Sequence, residues 1–154
     1  MFKECMERFE ENSYSGAKLS IYRNVPKSAP KAIIHISHVL AEHAGRYEWF
    51  MQTLMEAGYA VYAHDIGGHG YTYASDSFKG HFSDKHGLDK ILHDLDFSIH
   101  LIKKNHPDIP IFCFGHSLGS ILLLRYATSM YHRIKGIACW NSGIETNIVA
   151  VVGK

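Results

Sequence analysis

Strand-like and helix-like segments alternate along this chain. That order predicts an α/β fold, a three-layer α/β/α sandwich around a mostly parallel sheet. Three observations carry the prediction. The strand-like runs Ala32–Ser37, Tyr59–Ala63 and Ile111–Phe114 are apolar along most of their length, as strands covered on both faces must be. The segments between them repeat apolar residues at helical spacing. A glycine-flanked turn joins Ile111–Phe114 directly to a further apolar helix. Right-handed crossovers between the parallel strands follow as the default. At 154 residues the chain suits one domain, able to bury roughly 68–70% of its unfolded surface.

Each element has its own signal. Lys18–Arg23 reads as a strand ended by Pro26 and Pro30, and the stretch before Lys18 supplies one or two edge strands. Ala32–Ser37 comes next. Tyr47–Ala57 is a helix with Phe50, Leu54 and Ala57 on its apolar face, and Gly58 stops it. The strand Tyr59–Ala63 leads into a glycine-rich loop from Asp65 to about Asp84. Leu88–Lys104 is amphipathic: Leu88, Ile91, Leu92, Leu95, Ile99 and Ile102 recur at helical spacing, and Lys103 and Lys104 suit its last turn. After Ile111–Phe114, Ile121–Ala127 forms a helix and Ile134–Trp140 the last strand.

Gly115-His116-Ser117-Leu118-Gly119 is a G-x-S-x-G pattern set between strand and helix. So sharp a turn pushes the serine hydroxyl clear of the backbone. A side chain at 115 or 119 would then strike the neighbouring strand or helix, and glycine at both positions meets that need. Ser117 is the candidate nucleophile. The bland alternative is a strand-to-helix turn with an incidental serine.

Composition excludes several classes. With 46% hydrophobic and 20% charged residues the chain is globular, not disordered. A net charge of +1, with the basic residues scattered, leaves no electrostatic footprint for nucleic acid. No apolar run nears the ~20 residues of a bilayer span, and Met1–Arg8 lacks a signal-peptide core, so the cytoplasm is the default compartment. The three cysteines show no C-x-x-C spacing; Cys113 and Cys139 read as small buried hydrophobes, Cys5 lies near the terminus, and a reduced protein fits. Twelve histidines raise the question of a metal. The H-E-x-x-H pattern is absent, however, and His38 and His43 would not share a helical face. Gly67-Gly68-His69-Gly70 does not complete a dinucleotide fingerprint at Tyr73. Neither metal nor cofactor is expected.

Three segments acquire meaning together. His38-Val39-Leu40-Ala41-Glu42-His43-Ala44-Gly45-Arg46-Tyr47 follows one strand, Asp65-Ile66-Gly67-Gly68-His69-Gly70 follows the next, and Pro107-Asp108-Ile109-Pro110-Ile111 precedes the Ser117 turn. In order and spacing, over roughly residues 13–145, the chain resembles the α/β-hydrolase superfamily. Within it, the chain is similar to the monoacylglycerol lipase and lysophospholipase-like serine hydrolases, with their H-G-x-x-E-H-x-x-R-Y and D-x-x-G-H-G segments. The resemblance implies that Ser117 attacks an ester carbonyl of a lipid, while the backbone N–H groups of Leu118 and Leu40 form the oxyanion hole. It also implies that His38, His69, Gly115, His116 and Gly119 support the site. His38 on this reading is bonded to nearby backbone and takes no part in proton transfer. Two departures stand out: Val39 occupies a position where the family has glycine, and a β-branched residue tolerates positive φ badly. Gly67 stands where relatives carry a basic residue.

In this fold the triad runs Ser, then Asp or Glu, then His. After Ser117 the chain holds one acid, Glu145, and one histidine, His132. If its helix is continuous, His132 lies roughly 22 Å from the start of that helix, too far to serve Ser117. The expectation is therefore a single incomplete hydrolase domain over residues 1–154, an N-terminal portion lacking the strands, lid, acid and histidine that the family places later. Three readings stay open. One is a lipid-ester hydrolase impaired in this form. Another is a non-catalytic fragment, or half of a split hydrolase completed by another chain or a second copy through the exposed edge at Ile134–Trp140. The third is a minimal hydrolase using His38 or His69 as base. Peripheral membrane contact is open as well.

Overall fold

The structure, a computed structural model, describes residues 6–130 and 133–143. Among them six strands form one sheet in the order β1-β2-β4-β3-β5-β6. β1 (Glu7–Asn12) and β2 (Lys18–Asn24) pair as an antiparallel hairpin, and β2 runs antiparallel to β4 (Ala60–His64). β4, β3 (Ile33–Ser37), β5 (Ile111–His116) and β6 (Gly136–Trp140) are parallel. The expected α/β/α sandwich around a mostly parallel sheet is present.

Strand alternation divides the core into two layers. On one face Ile36, Val61 and Ala63 pack with Met51 of α1 (Glu48–Glu56). On the other, Ile33, Tyr62, Ile111 and Cys113 meet Leu95, Ile99 and Ile102 of α2 (Gly87–Asn105) and Leu123 and Tyr126 of α3 (Leu118–Met130). The apolar stripe expected on Leu88–Lys104 is the buried face of α2, save that Leu88 itself is exposed. Two element boundaries move. Ala44–Tyr47 forms a 3-10 turn ahead of α1, and α3 begins at Leu118, directly on the serine turn.

One expectation is corrected. Cys139 is exposed, whereas Cys113 is buried and its thiol is pushed up to about 12 by that burial. Among the described residues β5 has a neighbour on both sides and β6 only on one, and most of β6 is exposed. Cys5, His132 and Glu145 lie outside the described residues. No described helix is long and apolar enough to cross a membrane.

His35 of β3 and His64 of β4 both point into the layer under α2 and α3, with His35 Nε2 3.2 Å from His64 Nδ1. Both are buried, and His35 Nδ1 has no partner among the described residues. Desolvation pushes His35 down to about 3, and desolvation with its histidine neighbours holds His64 well below the ordinary imidazole range. In the unfolded chain each titrates near 6.5. Between those values the unfolded state binds more protons, so this contribution is complete above pH 6.5 and is lost as pH falls. At pH 5 the loss for His35 is about 2 kcal/mol, and His64 adds to it in the same direction. We expect the melting temperature to drop by about 5 °C or more between pH 7.5 and pH 5, and His35→Phe to reduce that drop. A melting temperature flat across this range would contradict the account.

Candidate active site

Ser117 sits where β5 ends and α3 starts, with φ at +51, a left-handed conformation that a non-glycine residue adopts at a cost of about 1–3 kcal/mol. Surrounding bonds hold it there. The Ser117 N–H donates to the Trp140 carbonyl at 2.9 Å, and the buried Ser120 hydroxyl donates to the Gly115 carbonyl at 2.6 Å. The Ser120 hydroxyl also lies 3.2 Å from the Trp140 carbonyl, so the end of β6 is tied to the turn. The two glycines are sterically required. A Cβ at Gly115 would stand 2.6 Å from Ser120 Cα, and one at Gly119 would stand 2.0 Å from the Ser37 carbonyl oxygen and 2.9 Å from that of His38. α3 therefore starts hard against the exit of β3, the segment that carries Leu40. Leu118 opens α3, where first-turn amides have no intrahelical acceptor.

His38 is completely buried. Its Nε2 accepts from the Ile66 N–H at 2.9 Å, so Nδ1 carries the proton and donates to the Val39 carbonyl at 2.7 Å. Both nitrogens are committed, and desolvation lowers the pKa. The ring links the exit of β3 to the exit of β4. Val39 does not carry the feared strain, because the positive φ of this loop, +60, falls at Ala41. The Leu40 side chain is about half exposed on the turn between them.

Three residues outside the expected site set organise it. Asp65, fully buried, accepts the Ala44 N–H through Oδ1 at 2.8 Å, and through Oδ2 the Tyr71 N–H at 2.8 Å and the Tyr22 hydroxyl at 3.1 Å. One carboxylate thus joins the loop after β3, the loop after β4, and β2. Tyr47 brings its hydroxyl within 3.0 Å of His116 Nδ1, connecting the 3-10 turn to the residue before Ser117. Ser120 is the third. The D-x-x-G-H-G segment was the available signal for Asp65, and the closing tyrosine of the H-G-x-x-E-H-x-x-R-Y segment was the signal for Tyr47; nothing local signalled Ser120.

His69 lies 5.6 Å from His38, ring to ring, with Nδ1 3.0 Å from the Gly67 carbonyl and a buried Nε2 that has no partner among the described residues. No described side chain hydrogen-bonds the Ser117 hydroxyl, His38 and His69 included. α3 is unbroken over 13 residues, about 20 Å of rise, to Met130. Among the described residues no three His, Cys, Asp or Glu side chains gather as a cation site.

With the elbow and both loops placed, the comparisons are decisive for family. Residues 28–151 match the family described as serine aminopeptidase, S33. The chain belongs to that hydrolase family. Human monoglyceride lipase is 35% identical over 99 residues, 64% of this chain and 31% of that protein. The Bacillus subtilis phospholipase YtpA is 30% identical over 109 residues, 70% of this chain and 39% of that protein. A thermostable carboxyl esterase from Bacillus coagulans, crystallised with glycerol, superposes with a TM-score of 0.78 at 27% identity, covering 88% of this chain and 44% of that one. The chain spans about a third of the length of the curated relatives it matches.

Proposed function

We propose that this chain is the nucleophile-bearing part of a serine hydrolase acting on carboxylic esters of lipids, of the monoacylglycerol or lysophospholipid type. The left-handed Ser117, clamped between β5, β6 and α3, carries the proposal. The Ser117 oxygen attacks the ester carbonyl carbon and gives its proton to a base. Charge on the carbonyl oxygen is met by the N–H groups of Leu118 and Leu40, the alcohol leaves, and water releases the acyl group. Each step assigns this chain the nucleophile and the oxyanion donors. The acid and histidine belong to polypeptide beyond the described residues, corresponding to later parts of the relatives.

A second reading, a half acting by association, is favoured by one surface. β6 is an outer strand, and beside it Ile34, Phe50, Leu54, Phe112, Phe114 and Ile137 line an apolar groove of about 340 Å³. One experiment separates the two: hydrolysis of a short-chain nitrophenyl ester by the 154-residue chain and by Ser117→Ala. Slow turnover that the substitution removes supports the hydrolase reading. Equal rates in two folded proteins leave only the association reading. A base-deprived serine is expected to be slow, because losing a triad member costs about 10⁴-fold or more in such enzymes.

A further inference from the structure

Ser120 makes a hydrogen bond that its place in the chain does not predict. A serine near the start of a helix ordinarily turns its hydroxyl back on a carbonyl three or four residues earlier, here Ser117 or His116. The Ser120 hydroxyl passes both and donates to the Gly115 carbonyl, five residues back, at 2.6 Å. That reach exists because the chain doubles back at Ser117, the left-handed residue between them. The end of β5 is thereby folded against the first turn of α3. Gly115 shows the same closeness, since a Cβ there would stand 2.6 Å from both the Cα and the N of Ser120.

The bond is therefore conditional on the strain. A right-handed Ser117 would swing the strand end away from the helix and part the hydroxyl from its carbonyl. A bond available to one conformation only shifts the balance toward that conformation. Strained backbone persists only where its surroundings over-determine it, and Ser120 serves two of the ties at once. Besides the Gly115 carbonyl, its oxygen lies 3.2 Å from the Trp140 carbonyl, which accepts the Ser117 N–H at 2.9 Å. The hydroxyl thus stands between the ends of β5 and β6, the two strand ends that meet at Ser117. It is fully buried, so bulk water does not compete for it.

We infer that Ser120 is a positioning residue for the nucleophile: its hydroxyl keeps Ser117 left-handed and its oxygen raised toward an incoming carbonyl. The role rests on Ser117 being the nucleophile; the hydrogen bonds do not. In a loosened turn Ser117 spends part of its time in relaxed conformations, and only the left-handed fraction reacts.

The test compares the 154-residue chain with Ser120→Ala in two readouts. One is the rate at which a fluorophosphonate forms a P–O bond to Ser117 with loss of fluoride. The other is exchange of the Ser117 amide proton, followed by nuclear magnetic resonance. Losing one net hydrogen bond should slow labelling about fivefold and speed the exchange by a similar factor. Ser120→Ala removes a single oxygen and installs a good helix former, so the chain keeps its fold. Ser98→Ala is the control: Ser98 is a buried serine of α2 whose hydroxyl has no partner among the described residues, and both readouts should stay unchanged. A wild-type value for Ser120→Ala in either readout, or equal slowing by Ser98→Ala, would overturn the inference. If Ser120→Ala does not fold, the wild type decides: a Ser117 amide as protected as those of β5 supports the clamp, and one exchanging like an exposed loop overturns it. A wild-type chain that takes no label sinks the hydrolase reading, and amide exchange alone then judges the clamp.

Discussion

Gly119→Ala costs the chain a large part of its stability. The new methyl carbon would lie 2.0 Å from the Ser37 carbonyl oxygen and 2.5 Å from its carbon, both backbone atoms of a central strand. No flexible side chain can give way, so α3 must lift off β3 or the Ser117 turn must unwind. Ordinary overpacking costs about 1–3 kcal/mol, and a clash against the rigid backbone of Ser37 and His38 exceeds it, so we expect about 4 kcal/mol or more. Such a loss is a large part of the ~5–15 kcal/mol that holds a domain together. Gly67→Ala is the control: its methyl would meet Ile91 and Phe82 at 3.5 and 3.6 Å, ordinary contacts, with no positive φ to oppose it. That change should stay within about 0.5 kcal/mol. Urea melts of the two variants check both figures, and a native-like midpoint for Gly119→Ala would refute the close approach of α3 to β3.

Asp65→Ala is the second large effect. It strands the buried Ala44 N–H, the part-buried Tyr71 N–H and the buried Tyr22 hydroxyl, in three different segments, with no acceptor. We expect about 3–5 kcal/mol of lost stability. Asp65→Asn should not rescue it. Each carboxylate oxygen accepts from a backbone N–H, so either orientation of an amide would turn an NH₂ group toward a donor. Thermal melts of the wild type and both variants decide the matter. An Asn variant as stable as the wild type would show that the carboxylate does not hold these loops.

The physical reasons for what was readable in the sequence are plain at particular residues. Helical spacing located α2, and apolar runs located β3, β4 and β5, because both signals are local. Gly115 and Gly119 could be assigned a steric duty from the motif alone, and the Cβ distances agree. The features that escaped are long-range. Asp65 gains its role only when Tyr22, Ala44 and Tyr71 converge on it from 43, 21 and 6 residues away. His35 and His64 become partners only through the β3–β4 pairing, 29 residues apart. Val39 looked strained by analogy, yet the left-handed residue is Ala41, because the turn falls two residues later. Cys139 looked buried because its run is apolar, and only the position of β6 at the sheet edge exposes it.

The fold is proposed to present Ser117 as a nucleophile. The most direct test is reaction of the 154-residue chain with a fluorophosphonate, followed by peptide mass spectrometry. Attack by the serine oxygen forms a P–O bond and expels fluoride, so the adduct marks the reactive hydroxyl without needing turnover. We predict slow labelling confined to the peptide containing Ser117 and absent from Ser117→Ala. A folded chain that stays unlabelled at Ser117, or takes the label equally at other serines, would contradict the account.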